Sequence, residues 1–269
     1  MFDFAVSNIA WPQEKEYQAF EVLSRYSISK LEVAPARVVE DLNDFSSSDV
    51  KLYRKYCERH GFSIYSMQAL LFGGPNCNLF GSNEEKSLLQ SHLLRVLDMG
   101  ADLGVSKLVF GSPKNRLRGE LSNDLAFEAA AEFFKPLALR ATESGSIICI
   151  ENNPTYYGAD FLTSTKEVCE FVRFANFNGL GAHFDTGGMF LSKEHYADSI
   201  ELNKDLISHF HISEQDLLPL SLEHIDHKTI AKTLYNNGYD KVASLEMKRS
   251  NQPIQDLAKS VDLLYEIYR

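Results

Sequence analysis

The chain has 269 residues, 44% hydrophobic and 24% charged, which is enough to bury one large core or two small ones. Its formal net charge of −10 opposes a phosphate backbone, so nucleic acid is excluded as an expected partner. No apolar stretch approaches the roughly 20 residues of a membrane span. The start, Met1-Phe2-Asp3-Phe4, lacks the basic and then apolar pattern of a secretory signal, and the expectation is a cytoplasmic protein with no membrane partner.

Eight strand candidates follow one another, near residues 3 to 8, 29 to 34, 62 to 70, 106 to 111, 146 to 151, 180 to 185, 207 to 212 and 242 to 247, each followed by a helical pattern. Strict alternation of this kind predicts an α/β fold with a parallel sheet, and eight unbroken units at this length favour a single (β/α)8 TIM barrel over residues 1–269. Trp11, after strand one, and Phe72, after strand three, are candidates for an apolar wall against a substrate ring, or else for capping the core. Glu32, flanked by outward-facing Leu31 and Val33, points into the barrel, where it either orients a ligand or makes a salt link. After strand four, Gly111-Ser112-Pro113-Lys114-Asn115-Arg116 offers Lys114 and Arg116 to an anionic substrate group; a solvated loop is the competing reading, because no Gly-rich phosphate motif is present. A helix runs around Leu88 to Leu103, Ser122 or Asn123 caps the next one, and the last begins with Pro253 in its first turn. His224-Ile225-Asp226-His227 lacks H-E-x-x-H spacing and reads as a surface loop. The four cysteines, Cys57, Cys77, Cys149 and Cys169, have no C-x-x-C spacing and read as free buried thiols.

Four of the apolar runs end in a side chain able to bind metal. They are Ile147-Ile148-Cys149-Ile150-Glu151, Gly181-Ala182-His183-Phe184-Asp185, Ile207-Ser208-His209-Phe210-His211 and Val242-Ala243-Ser244-Leu245-Glu246. Because strand side chains alternate, Ile150, Phe184, Phe210 and Leu245 face the helices while Glu151, Asp185, His211 and Glu246 converge on the other face. They recur about 30 residues apart, the rhythm of a βα repeat. In a barrel of this kind they fall at the strand ends, where active sites are built. Three carboxylates and one imidazole suit a divalent ion, Mn²⁺ first, with Mg²⁺, Co²⁺ or Zn²⁺ as alternatives. His183 and His209 lie two residues before a ligand candidate, on the same face; they are candidate substrate contacts or hydrogen-bonded interior histidines.

The order Glu, Asp, His, Glu, carried by Ile150-Glu151-Asn152, Phe184-Asp185-Thr186-Gly187, Phe210-His211-Ile212 and Ser244-Leu245-Glu246, resembles the xylose-isomerase-like barrel superfamily. The likeness is greatest to its ketose 3-epimerase and hydroxypyruvate-isomerase-like branch, and Asn236-Asn237-Gly238-Tyr239-Asp240 adds to it. The resemblance implies a metal-dependent isomerase or epimerase that moves a proton on a small-molecule keto sugar or its phosphate, with Glu151 and Glu246 as acid/base groups and a homodimer or homotetramer as the assembly. Two positions depart from the family pattern. Gly188 stands where relatives commonly carry a substrate-binding His, and Leu217 where an Arg is often found. Three alternatives stand beside this reading. A dehydratase on the same metal core would expel a β-hydroxyl from a keto-polyol or related cyclic acid; a degenerate sugar-binding barrel is favoured by Gly188 and Leu217; the zinc endonuclease-like branch is opposed by the acidic balance and few strand-end histidines.

Overall fold

The computed structural model describes residues 2–269. Eight strands, β1 (Phe4–Ser7), β2 (Lys30–Val33), β3 (Ser63–Met67), β4 (Lys107–Phe110), β5 (Ile147–Glu151), β6 (Leu180–Asp185), β7 (Ile207–Ile212) and β8 (Ala243–Leu245), pair in parallel in chain order. Pairing of Phe4, Ala5 and Val6 with Ala243, Ser244 and Leu245 joins β1 to β8 and closes the (β/α)8 barrel that the alternation predicts. All eight expected strands form; Glu246 falls one residue beyond β8, still tied to the barrel by its backbone N–H donating to the Ile212 carbonyl.

Among the described residues ten α-helices surround the strands: α1 (Glu16–Arg25), α2 (Pro35–Val38), α3 (Ser47–Arg59), α4 (Asn83–Leu103), α5 (Asn123–Glu143), α6 (Thr165–Ala175), α7 (Thr186–Leu191), α8 (Tyr196–Asn203), α9 (His227–Asn236) and α10 (Pro253–Tyr268). Two crossovers, after β2 and after β6, contain a pair of helices where one was expected. The signals that start the long helices are local. Ser82 and Glu85 form a reciprocal capping box on α4, Ser122 caps α5, and Pro253, with its fixed φ and missing N–H, opens α10. The last of these packs against α1 and sets Tyr265 beside Phe4 and Tyr26.

The hydrophobic core lies between sheet and helices. Ile150, Phe184, Phe210 and Leu245 are each fully buried in it, and burial of a side chain of this size stabilises the fold by about 1.5–3 kcal/mol. The barrel interior is different: Glu32, Ser66, His183, His209 and Ser244 are fully buried there. Two register shifts arrange this polar layer. The β2–β3 pairing skips Tyr65, bringing Glu32 opposite Ser66, and the β6–β7 pairing skips Ser208, bringing His183 opposite His209. Gly181 permits the second shift, because a Cβ there would lie 2.1 Å from the Ser208 hydroxyl.

His227 corrects the reading of residues 224–227 as surface. His224 is exposed, but His227 is fully buried on the first turn of α9, its Nδ1 2.7 Å from the Tyr268 hydroxyl and its Nε2 3.3 Å from Glu214. The four cysteines are free and buried, as expected. Among the described residues no helix is long and apolar enough to cross a membrane.

Candidate active site

At the C-terminal ends of the strands a cavity of about 550 Å³ opens. Glu151, Asp185, His211 and Glu246 all line it. His211 is the hub of the cluster. Its Nδ1 lies 3.0 Å from Glu246 Oε2, 3.9 Å from Glu151 Oε1 and 4.0 Å from Asp185 Oδ2. Its Nε2 lies 3.0 and 3.1 Å from the two oxygens of Glu32.

Each carboxylate is oriented by its own neighbours. Asp185 caps α7: Oδ1 accepts from the Gly188 N–H at 2.5 Å, and Oδ2 accepts from the Ser213 hydroxyl at 2.6 Å. Asn153 donates to Glu151 Oε2 at 2.9 Å, and Gly111 leaves the room that carboxylate occupies, since a Cβ at position 111 would sit 2.2 Å from Oε2. Beneath them Glu32 Oε2 accepts from Ser66 (2.6 Å), His209 Nε2 (2.9 Å) and Ser244 (3.2 Å).

The electrostatics follow from crowding acids in a buried mouth. Burial, then the Asp185 and Glu246 carboxylates, push Glu151 up to about 8. Burial also raises Asp185 and Glu246, against the pull of His211. For His211 burial disfavours the charge, but Glu32 and Glu246 outweigh it and hold the imidazole well above its ordinary range. For Glu32 burial works upward, and His211 and His209 overcome it to hold the carboxyl low. The cluster is thus a buried Glu32–His211 ion pair beside acids that resist ionising together.

Potential ligand atoms lie within 4.8 Å of one another in three groups: Glu151, His183, Asp185 and His211; Glu32, His211 and Glu246; and His183, His209 and His211. The four strand-end residues therefore meet around His211, with Glu246, Glu151 and Asp185 at its Nδ1 and Glu32 at its Nε2. The donor chemistry fits a divalent ion, because three carboxylates and an imidazole converge in a buried mouth where the acids resist ionising together.

The remaining candidates separate. His183 and His209 are fully buried and line no part of the cavity, although His183 Nε2 lies 3.6 Å from Glu151 Oε1. Arg116 is buried too, and its Nη2 donates to the Glu151 carbonyl at 2.7 Å, tying the loop after β4 to β5; burial lowers its pKa to about 10. Lys114 is exposed and outside the cavity lining. Trp11 is fully buried, 3.5 Å from Glu16 through Nε1, and Phe72 is 73% exposed; neither lines the cavity. The sequence reading missed Asn152, Asn153, Ser213 and Lys248. The first two directly follow β5, Ser213 shares the alternation of His211, and Lys248 stands two residues past Glu246 as the one Lys or Arg among the described lining residues. At Gly188 a Cβ would lie 3.0 Å from Asn152 Nδ2, so Asn152 takes space a larger residue would need; Leu217 lines the cavity.

An eight-stranded parallel barrel with this acid and imidazole cluster at its strand ends defines a class of protein. The chain belongs to the xylose isomerase-like TIM barrel family, whose model matches residues 26–267. Among solved structures it is similar to D-psicose 3-epimerase with D-tagatose from Clostridium cellulolyticum H10, with a TM-score of 0.79 at 15% identity over 100% of both chains. It is also similar to 3-keto-D-glucoside 4-epimerase from E. coli (TM-score 0.77, 17% identity, 99% of this chain and 100% of that one). A third similar structure is the IolI protein with a bound zinc atom (TM-score 0.72, 15% identity, 99% of each chain). No curated protein matches the sequence.

Proposed function

We propose that the protein is a divalent-metal-dependent isomerase or epimerase of a keto sugar or sugar phosphate. The observation that carries this reading is the convergence of Glu151, Asp185 and Glu246 on His211 Nδ1 at the mouth of a cavity large enough for a monosaccharide. The names of the similar structures support it, being epimerases of ketoses and of a keto-glucoside. Glu151, Asp185, His211 and Glu246 would hold the ion, Mn²⁺ by the oxygen-rich donor set, with the cytoplasm as its place of action and a homodimer or homotetramer as its assembly.

A divalent ion in such a site supplies Lewis-acid polarisation of a substrate carbonyl, which makes the adjacent C–H acidic. The protein supplies the proton traffic. Glu246 follows β8 and Glu151 ends β5, so the two carboxylates reach the centre from separate strands, and one removes a proton from carbon while the other returns it. Asn153 aims the Glu151 carboxyl, and Ser213 with the Gly188 N–H fixes Asp185. Lys248 offers a cation to an anionic substrate group at the rim.

The test is deuterium uptake from solvent into a panel of free and phosphorylated ketoses by chelator-treated protein reloaded with Mn²⁺. The expected result is metal-dependent exchange at a carbon next to the carbonyl, with substrate mass otherwise conserved; loss of water would instead reveal a dehydratase. Glu246→Gln should slow exchange about 10²- to 10⁴-fold while weakening Mn²⁺ binding far less. Exchange surviving within a few-fold would refute the acid/base role of Glu246.

A further inference from the structure

We infer that His183 is a fifth ligand of the metal centre, so that the centre carries two imidazoles and favours Co²⁺ and Zn²⁺ over Mg²⁺. The inference rests on the metal-centre reading above and adds a donor to it. His183 is fully buried, yet neither ring nitrogen has a hydrogen-bond partner. An imidazole buried in that state forfeits its polar contacts, unless something not made of protein takes the lone pair. His209, next to it, shows the contrast: its Nε2 is committed to Glu32 at 2.9 Å.

Geometry places the open nitrogen of His183 in the cluster. Nε2 lies 3.6 Å from Glu151 Oε1, and the ring stands edge to face with His211, centroids 4.0 Å apart. Glu151, His183, Asp185 and His211 each present a ligand atom within 4.8 Å of the other three. The placement is built into the sheet, since the unbroken β5–β6 register pairs His183 with Glu151. Imidazole nitrogen suits Zn²⁺, Co²⁺ and other later divalent ions, whereas Mg²⁺ prefers an all-oxygen shell.

The experiment titrates Co²⁺ and Mg²⁺ into chelator-treated full-length protein, the His183→Gln and His183→Asn variants, and His224→Ala as an exposed control. Calorimetry gives affinity and stoichiometry, visible absorption of Co²⁺ reports its ligands, and circular dichroism checks each fold. One Co²⁺ per chain is expected, with Co²⁺ affinity falling at least about tenfold in the His183 variants, an altered cobalt spectrum, a smaller change for Mg²⁺ and none in the control. Unchanged affinity and spectrum in a folded His183 variant would overturn the assignment and leave the metal centre standing. Failure of the unmutated protein to bind any Co²⁺ would bring down the centre and this ligand together. Two Co²⁺ per chain, one lost with His183, would refute a shared centre. Should both variants fail to fold, pulsed electron paramagnetic resonance of the Cu²⁺-loaded native protein decides: two coordinated imidazoles support the inference and one overturns it.

Discussion

Glu151 is the residue whose ionisation the fold perturbs in the most testable way. Its carboxyl, ordinarily near 4.5, is raised to about 8 by burial and by Asp185 and Glu246. A group bound more tightly to its proton when folded contributes stability that is complete below the unfolded value and is lost as pH rises through the folded one. In the presence of chelator, the native protein should therefore lose stability relative to Glu151→Gln as pH rises from about 5 to 8, read as the difference between their melting temperatures across that range. A difference that stays flat would show that Glu151 is not perturbed. His183 and His209 are lowered and act with the opposite sign, which is why the comparison with Glu151→Gln is needed. At this scale the strand-end residues were legible because alternation alone assigns a face to each. Trp11 and Phe72 were not legible in the same way: a residue just past a strand end turns inward or outward according to loop contacts such as that between Trp11 and Glu16.

Among the elements, the loop after β4 shows how a backbone position controls a carboxylate on the next strand. Gly111 sits against Glu151, and a methyl group there would meet Oε2 at 2.2 Å. Gly111→Ala should displace that carboxylate, weakening metal binding by about tenfold or more while costing only about 1–3 kcal/mol of stability. Calorimetric metal titration beside a urea melt separates the two effects; affinity equal to the native value would show that Glu151 is placed by something other than the space Gly111 leaves. The strands were readable from their short apolar runs, and the long helices from Ser, Pro and 3.6-residue periodicity. The two register shifts were not, because skipping Tyr65 or Ser208 changes no residue type and is decided by what packs across the sheet. The pairing of His227 with Tyr268 and Glu214 was hidden for a similar reason, joining side chains 41 and 13 positions apart.

For the molecule as a whole, closure of β1 on β8 makes the proposed metal centre a shared point of β5, β6, β7 and the end of β8. An ion bound only by the folded chain stabilises all of it, by about 2.7 kcal/mol at a free concentration near 100 times Kd. Mn²⁺ should raise the melting temperature of chelator-treated protein by several degrees, and Asp185→Ala should abolish the rise. An equal rise in that variant would place the ion elsewhere.

The polar layer inside the barrel carries a consequence for how such a protein can change. Barrels of this architecture usually fill their interior with branched apolar side chains; here Glu32, Ser66, His183, His209 and Ser244 occupy it. Replacing a buried ion pair with well-packed apolar residues is often neutral or stabilising. Selection for robustness alone would therefore drift this interior toward leucine and valine and silence the centre above it. A chain that keeps a polar axle forgoes easy stability, and the sturdiest descendants of this sequence would be the ones that had lost the proposed centre.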